Sequence, residues 1–299
     1  MNKCEIQFGK MKWKNPLTVA SGTFGLEYAE LFDLSLLGAL TTKTITPKPK
    51  KGNKPQRIVE TEVGLLNSIG LQNPGLEEFI KTDLQKYQEF DTNLIVSISA
   101  STIDEFIKMI ERLDIQTGID AYEINVSCPN VENEGIAFGT NEEIVFELTR
   151  KITSVTEKTV IIKLTPNVTS IENIALAAQK GGADGLALIN TLYGMAIDVD
   201  ARKLKLRNGI GGYSGPGIKP IALQNVYRVA QVVAIPILAM GGISNVQDAL
   251  EFVIAGATAV AVGTQNFVNP FTSIEVIRGL EVYCHQHSVD FNELIGSIT

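Results

Sequence analysis

The sequence predicts a closed (β/α)8, or TIM, barrel spanning residues 1–299 as one domain, and three observations carry that expectation. A barrel of this kind needs ~250 residues plus insertions, which the chain of 299 residues accommodates. About eight short runs rich in Val, Ile, Leu and Ala alternate with segments of helical period, the mark of a parallel sheet covered by helices. Polar residues fall at the C-terminal ends of those runs, where a barrel gathers its functional groups.

Hydrophobic residues make up 44% and charged residues 20%, enough to bury a large core and too ordered a composition for a disordered chain. A net charge of −7 argues against a nucleic-acid partner, which needs a concentrated basic surface. The one basic run, Lys48 to Lys54, is broken by Pro and Gly and reads as a solvated loop. The first ten residues show no secretory pattern, and no apolar stretch approaches the ~20 residues of a membrane span. A cytoplasmic location without membrane contact is expected. Cys4, Cys128 and Cys284 are too far apart for a CxxC motif, which fits a reducing compartment and offers no metal site.

In chain order, residues 4–13 form a hairpin turning at Gly9 that closes the bottom of the barrel. Strands follow at 17–20, 39–42, 94–98, 121–126, 160–164, 185–189, 236–240 and 259–262. Helical faces are marked by Leu76, Phe79, Ile80, Leu84 and Tyr87, and by Ile103, Phe106, Ile107 and Ile110. Further helices are expected over 142–155, 171–180, 220–229, 246–255 and 273–285. Ser101 with Asp104, and Ser244 with Gln247 and Asp248, read as N-cap signals. Two long connections, 44–74 and 191–219, show no obvious regular structure; such loops carry function or are mobile, and in a barrel both lie on the catalytic face.

At the strand ends stand Ser21-Gly22, Lys43-Thr44, Ser97, Asn125 with Cys128, Lys163, Asn190-Thr191, Gly241-Gly242 and Gly263-Thr264. Lysines closing apolar strands are costly to bury unless they face a ligand or counter-charge, although either can also escape to solvent past its strand. The glycine pairs after the last two strands suit a phosphate approached by backbone N–H groups, and tight turns explain them as well. Cys128 can serve as base or nucleophile if its surroundings favour the thiolate; a small buried hydrophobe is the ordinary alternative. His285 and His287 lie away from the mouth, so histidine acid–base chemistry is not expected.

Asn67-Ser-Ile-Gly-Leu71-Gln-Asn73-Pro-Gly75 and Asn125-Val-Ser-Cys128-Pro-Asn130 resemble the substrate loop and the catalytic-base loop of class 1 dihydroorotate dehydrogenases. The resemblance runs from Ala20 to Thr264. Ile69 to Asn73, Gly194 to Asp198 and Ser214 to Pro220 resemble subclass 1B rather than the fumarate-using subclass 1A.

By that resemblance Ser21, Lys43, Thr44, Ser97, Asn125, Lys163, Ile189, Gly215, Gly241, Gly242, Gly263 and Thr264 surround FMN. Lys43, Asn67, Ser68, Ile69, Gly70, Leu71, Asn125, Asn190 and Thr191 hold the substrate, and Cys128 is the catalytic base. The implied reaction removes a C5 proton from dihydroorotate and transfers hydride from C6 to flavin N5, with Ser127 or Thr191 as proton relay. Ser97 departs from the family's usual Asn, and Leu204 from an expected Arg-Lys-Pro.

The chain has no GxGxxG fingerprint and no clustered cysteines, so the subclass resemblance implies a separate electron-transfer subunit bearing FAD and [2Fe–2S]. A homodimer within a heterotetramer is the implied assembly. Alternatives are a fumarate-dependent enzyme, a barrel lyase with a Schiff-base lysine, and a flavin protein without turnover.

Overall fold

The computed structural model describes residues 3–127 and 138–299. Eight parallel strands form one sheet: β1 (Leu17–Val19), β2 (Ala39–Thr41), β3 (Asn93–Ile98), β4 (Ala121–Asn125), β5 (Thr159–Lys163), β6 (Gly185–Leu188), β7 (Ile237–Met240) and β8 (Ala259–Val262). Neighbours follow chain order from β2 to β8, and β8 pairs with β1. The seam between β1 and β2 is drawn together by the Gly38 N–H donating to Leu17 O at 3.0 Å and by Thr18 Oγ1 and Thr41 Oγ1 at 3.0 Å. The TIM-barrel expectation is met.

Every residue of these strands except Asn93 is buried, as a sheet covered on both faces requires. Helices α1 (Ile103–Asp114), α2 (Glu142–Thr153), α3 (Ile171–Lys180), α4 (Lys219–Ala230), α5 (Val246–Ile254) and α6 (Thr272–His287) form the outer layer. Between β2 and β3 the helical run 76–87 includes a π turn at Phe79–Asp83. The caps of α1 and α5 fall one residue later than the sequence suggested. Thr102 accepts from the Glu105 N–H, and Asn245 accepts from the Asp248 N–H. Thr102 has a glutamate three residues on, and that longer side chain reaches back to the Ser101 N–H at 2.9 Å.

The hairpin of Ile6–Phe8 and Met11–Trp13 plugs the N-terminal end of the barrel. Gly9 has φ +57, and a Cβ there would lie 2.7 Å from Thr159 Cγ2, so the turn needs glycine for conformation and for approach. The Lys10 N–H donates to Thr159 Oγ1 at 3.0 Å. Phe8 and Trp13 stack at 5.1 Å, both fully buried, and Phe8 fills the space beside Gly185 at the start of β6.

The two long connections are not the irregular loops the sequence suggested. Ile58–Thr61 and Gly64–Asn67 form a hairpin, and Gly64–Asn67 pairs antiparallel with Ile210–Ser214, which pairs with Leu192–Met195. Ile197–Asp198 and Lys203–Leu204 pair beside them. This four-stranded sheet stands at the C-terminal face, and its pairing register sets Asn67 opposite Gly212.

Trp13→Ala is expected to cost about 3–5 kcal/mol, the usual loss for a fully buried tryptophan. Urea unfolding measures it; a loss below about 1 kcal/mol would show that the hairpin is an appendage rather than the floor of the core.

Candidate active site

The strand ends meet at one cavity of about 1190 Å³. Ser21 reaches it from just past β1, Lys43 and Thr44 from β2, Asn125 from β4 and Lys163 from β5. Ile189, Asn190 and Thr191 follow β6, Gly241 and Gly242 follow β7, and Gly263 and Thr264 follow β8. The sheet over the mouth and its loops add Asn67, Ser68, Ile69, Gly70, Leu71 and Gly215.

Of the lysines lining this space, the two from the strand ends, Lys43 and Lys163, have unequal support. Lys163 Nζ lies 3.3 Å from Glu123 Oε1, a pair almost wholly out of solvent. Glu123 Oε1 also accepts from Ser97 Oγ at 2.8 Å, while Glu123 Oε2 is buried without a hydrogen-bond partner among the described residues. Such an orphaned acceptor costs about 1–3 kcal/mol, so the pair is poorly explained as a stabilising device. Lys43 takes part in none of the ion pairs among the described residues. Burial pushes its ammonium below the ordinary lysine pKa, and the neighbouring Lys163 charge pushes it further.

The amide-bearing wall is ordered by its own hydrogen bonds. Asn190 Nδ2 donates to Ser127 Oγ at 2.8 Å and lies 3.4 Å from Asn125 Oδ1. Asn190 Oδ1 accepts from the Thr191 N–H at 2.8 Å. Buried Asn73 shapes the loop before it: its Oδ1 accepts from the Gly75 N–H at 2.8 Å, and its Nδ2 donates to Leu71 O at 2.7 Å. Leu71 has φ 52, a left-handed backbone unusual for leucine that these bonds help to hold.

The rim glycines differ in what they leave room for. Gly242 has φ +83, and a Cβ there would meet Lys219 Cβ at 2.7 Å, so packing alone accounts for it. Gly263 differs: a Cβ there would meet nothing nearer than Ala20 Cβ at 3.5 Å. Its bareness leaves backbone open on the cavity side without serving the protein's own packing, as close approach of an anion requires. Thr264 Oγ1 donates to Ser214 Oγ at 2.8 Å, joining the β8 end to the sheet over the mouth.

The dihydroorotate dehydrogenase family model matches residues 4–283. A relative from Thermoanaerobacter pseudethanolicus called "Dihydroorotate dehydrogenase B (NAD(+)), catalytic subunit" is 53% identical over 297 residues, covering 98% of both chains. Relatives of the same name from Alkaliphilus oremlandii and Malacoplasma penetrans are 49% and 46% identical, covering 98% and 94% of this chain and 98% and 92% of theirs. The chain belongs to the dihydroorotate dehydrogenase family.

Within a dihydroorotate dehydrogenase barrel, two placements stand out. Ser97 does not line the cavity: it is fully buried below it, its hydroxyl spent on Glu123 Oε1 and in contact with Thr44 Oγ1 at 2.9 Å. With its hydroxyl held between Glu123 and Thr44, Ser97 supports the wall of the cavity from below. The basic run is exposed as expected, yet Lys50 and Lys51 border the cavity. The catalytic assignment, Cys128, lies outside the described residues; Ser127 beside it is on the cavity wall.

Glu123 was missed, although a signal existed. A glutamate two residues before Asn125 on one apolar strand projects to the same side of the sheet. Tyr193 and Phe267, 71% and 59% exposed, also border the cavity and carried no sequence signal beyond their type.

Lys43→Met is expected to stabilise the ligand-free protein by about 1 kcal/mol, because it removes a partly buried cation that has no ion-pair partner among the described residues. The folded-state pKa of Lys43 is lowered, so the penalty is complete at low pH and fades as pH rises through that lowered value toward 10.5. Thermal melts across pH check this; destabilisation at neutral pH would mean that the ammonium has a partner.

Proposed function

We propose that this chain oxidises (S)-dihydroorotate to orotate, a step of pyrimidine biosynthesis, on a bound FMN, and that its electrons pass to NAD⁺ through a partner subunit. One observation carries the reading: two cationic and three carboxamide side chains, Lys43, Lys163, Asn67, Asn125 and Asn190, converge on a single cavity floored by a barrel of the family. Family membership and the NAD(+) in the relatives' names weigh against the lyase and fumarate alternatives.

Each residue suits a task. Lys43, which has no carboxylate partner among the described residues, pairs with the substrate's own. Asn67, Asn125 and Asn190 offer donors and acceptors to the pyrimidine amides, and Ser68, Ile69, Gly70 and Leu71 close over the ring. Thr191 is ordered through Asn190 Oδ1 at 2.8 Å, which sets it beside the same groups. Cys128 takes the C5 proton as thiolate, the form in which a cysteine is basic. Of the two relay candidates, Ser127 already accepts from Asn190 at 2.8 Å, which favours it over Thr191. When bound, FMN supplies the acceptor for hydride leaving C6. Ser21, Thr44, Lys163 and Ile189 would flank its ring system, and Gly215, Gly241, Gly242, Gly263 and Thr264 its phosphate end.

The partner is proposed to carry FAD and [2Fe–2S], and the assembly to be a homodimer of this chain within a heterotetramer, located in the cytoplasm. The words "catalytic subunit" in the relatives' names support a second subunit. So does an apolar face by the cavity mouth, where Tyr193, Met195, Ile197 and Val199 are 71%, 54%, 52% and 81% exposed. Among the described residues no helix is long and apolar enough to cross a membrane.

Anaerobic dihydroorotate is expected to bleach the bound flavin, and Cys128→Ala to keep FMN while losing at least about 10²-fold in reduction rate, the usual share of a general base. Stopped-flow absorbance reads both. Near-wild-type reduction in Cys128→Ala rejects the base, and loss of FMN makes the residue structural.

The isolated chain is expected to reduce NAD⁺ negligibly and to do so briskly once co-purified with its partner. Rapid NADH formation by the chain alone contradicts the two-subunit reading.

A further inference from the structure

The buried pair beneath the cavity has a feature that the substrate chemistry does not use. Glu123 is 1% exposed and does not reach the cavity, whereas Lys163, on the adjoining strand, does. From β4, Glu123 thus presents its charge to the floor from behind. A second line of influence runs the other way around the barrel. Ser97 Oγ donates to Glu123 Oε1 at 2.8 Å, Thr44 Oγ1 lies 2.9 Å from Ser97 Oγ, and Ser21 Oγ lies 2.8 Å from Thr44 Oγ1.

A carboxylate accepts only, and each hydroxyl has one proton. With Ser97 committed to Glu123, Thr44 must donate to Ser97 and Ser21 must donate to Thr44. Ser21 therefore offers lone pairs, not a proton, to the cavity. The carboxylate makes the floor less positive on both sides: it offsets Lys163 directly, and through three hydroxyls it turns the Ser21 wall into an acceptor. Retention for stability alone does not explain this, because Oε2 is buried without a hydrogen-bond partner among the described residues.

We propose that Glu123 is a positioning residue that sets the reduction potential of the bound flavin, holding it below the value that Lys163 unopposed would give. The proposal rests on the FMN reading above. Reduction places negative charge on the flavin, so a nearby unpaired cation raises the potential and a counter-charge lowers it. Electrons bound for NAD⁺, a low-potential acceptor, call for a flavin held low.

The test is a redox titration of the FMN-loaded protein. Glu123→Gln keeps the shape and removes the charge; it is expected to shift the reduced-to-oxidised ratio at fixed potential by about tenfold toward reduced, a rise of about 30 mV for a two-electron couple. Glu123→Asp and Ser97→Ala, which keep both charges, are expected to stay within about threefold of wild type. Lys163→Gln is expected to lower the potential, and Glu123→Gln combined with Lys163→Gln to return it to within about threefold of wild type.

The double variant removes both charges together and keeps the question decidable if Glu123→Gln alone does not fold. An unmoved or lowered potential in Glu123→Gln overturns the proposal. So does a Ser97→Ala shift as large as that of Glu123→Gln, or a double variant that stays at the Lys163→Gln value. Wild-type protein that binds no flavin overturns the functional reading itself, whereas flavin-loaded wild type with an unresponsive Glu123→Gln overturns this proposal alone.

Discussion

The rest of the molecule depends on closure of a parallel ladder upon itself. The last strand pairs with the first, and the first is drawn to the second by one backbone hydrogen bond and a threonine–threonine contact. Because all eight strands run the same way, closure brings every C-terminal end to one rim. Lys43 and Lys163, 120 positions apart in sequence, come to share a cavity for this reason alone. The opposite end has the contrary requirement. There the hairpin seals the barrel with Phe8 and Trp13, and glycine is needed at positions 9 and 185 so that aromatic and backbone atoms fit against the strand starts.

The polar rim is held at a cost that the apolar layers below it must offset. Burial of hydrophobic surface contributes roughly 25 cal/mol per Å², and the strands, buried on both faces, supply it generously. Against that stand a partly buried Lys43 without an ion-pair partner and a Glu123 with one orphaned oxygen, both judged among the described residues. The side chains that touch the cavity are in turn braced by others: Asn73 shapes the loop of Asn67 to Leu71, and Ser97 braces Thr44.

How much of this was legible follows from how local each signal is. The barrel strands could be read because a strand buried on both faces is an unbroken apolar run, and Ala259–Val262 fell where expected to the residue. Helix caps slipped by one residue where Ser101 and Thr102, or Ser244 and Asn245, competed for one role. The sheet over the mouth was invisible. Ile-Gly-Gly-Tyr-Ser has weak strand character, and its pairing with Gly64–Asn67 spans about 145 residues, as between Asn67 and Gly212, so no local pattern records it.

Within the site, lysines and asparagines at strand ends were evident from type and position. Glu123 and Ser97 were harder, because their meaning lies in cross-strand register: Ser97 opposite Glu123, and Asn125 opposite Lys163. Register is a property of the closed sheet and cannot be seen in a single strand.

The most direct test of the central claim, that the barrel rim is the site of flavin and pyrimidine chemistry, is a crystal structure of the purified protein with orotate. The account predicts orotate in the cavity with its carboxylate within hydrogen-bond reach of Lys43 Nζ, its ring between the loop of Asn67 to Leu71 and the flavin, and the flavin phosphate against Gly242, Gly263 and Thr264. Orotate bound outside this cavity, or within it with the carboxylate turned away from Lys43, would contradict the account.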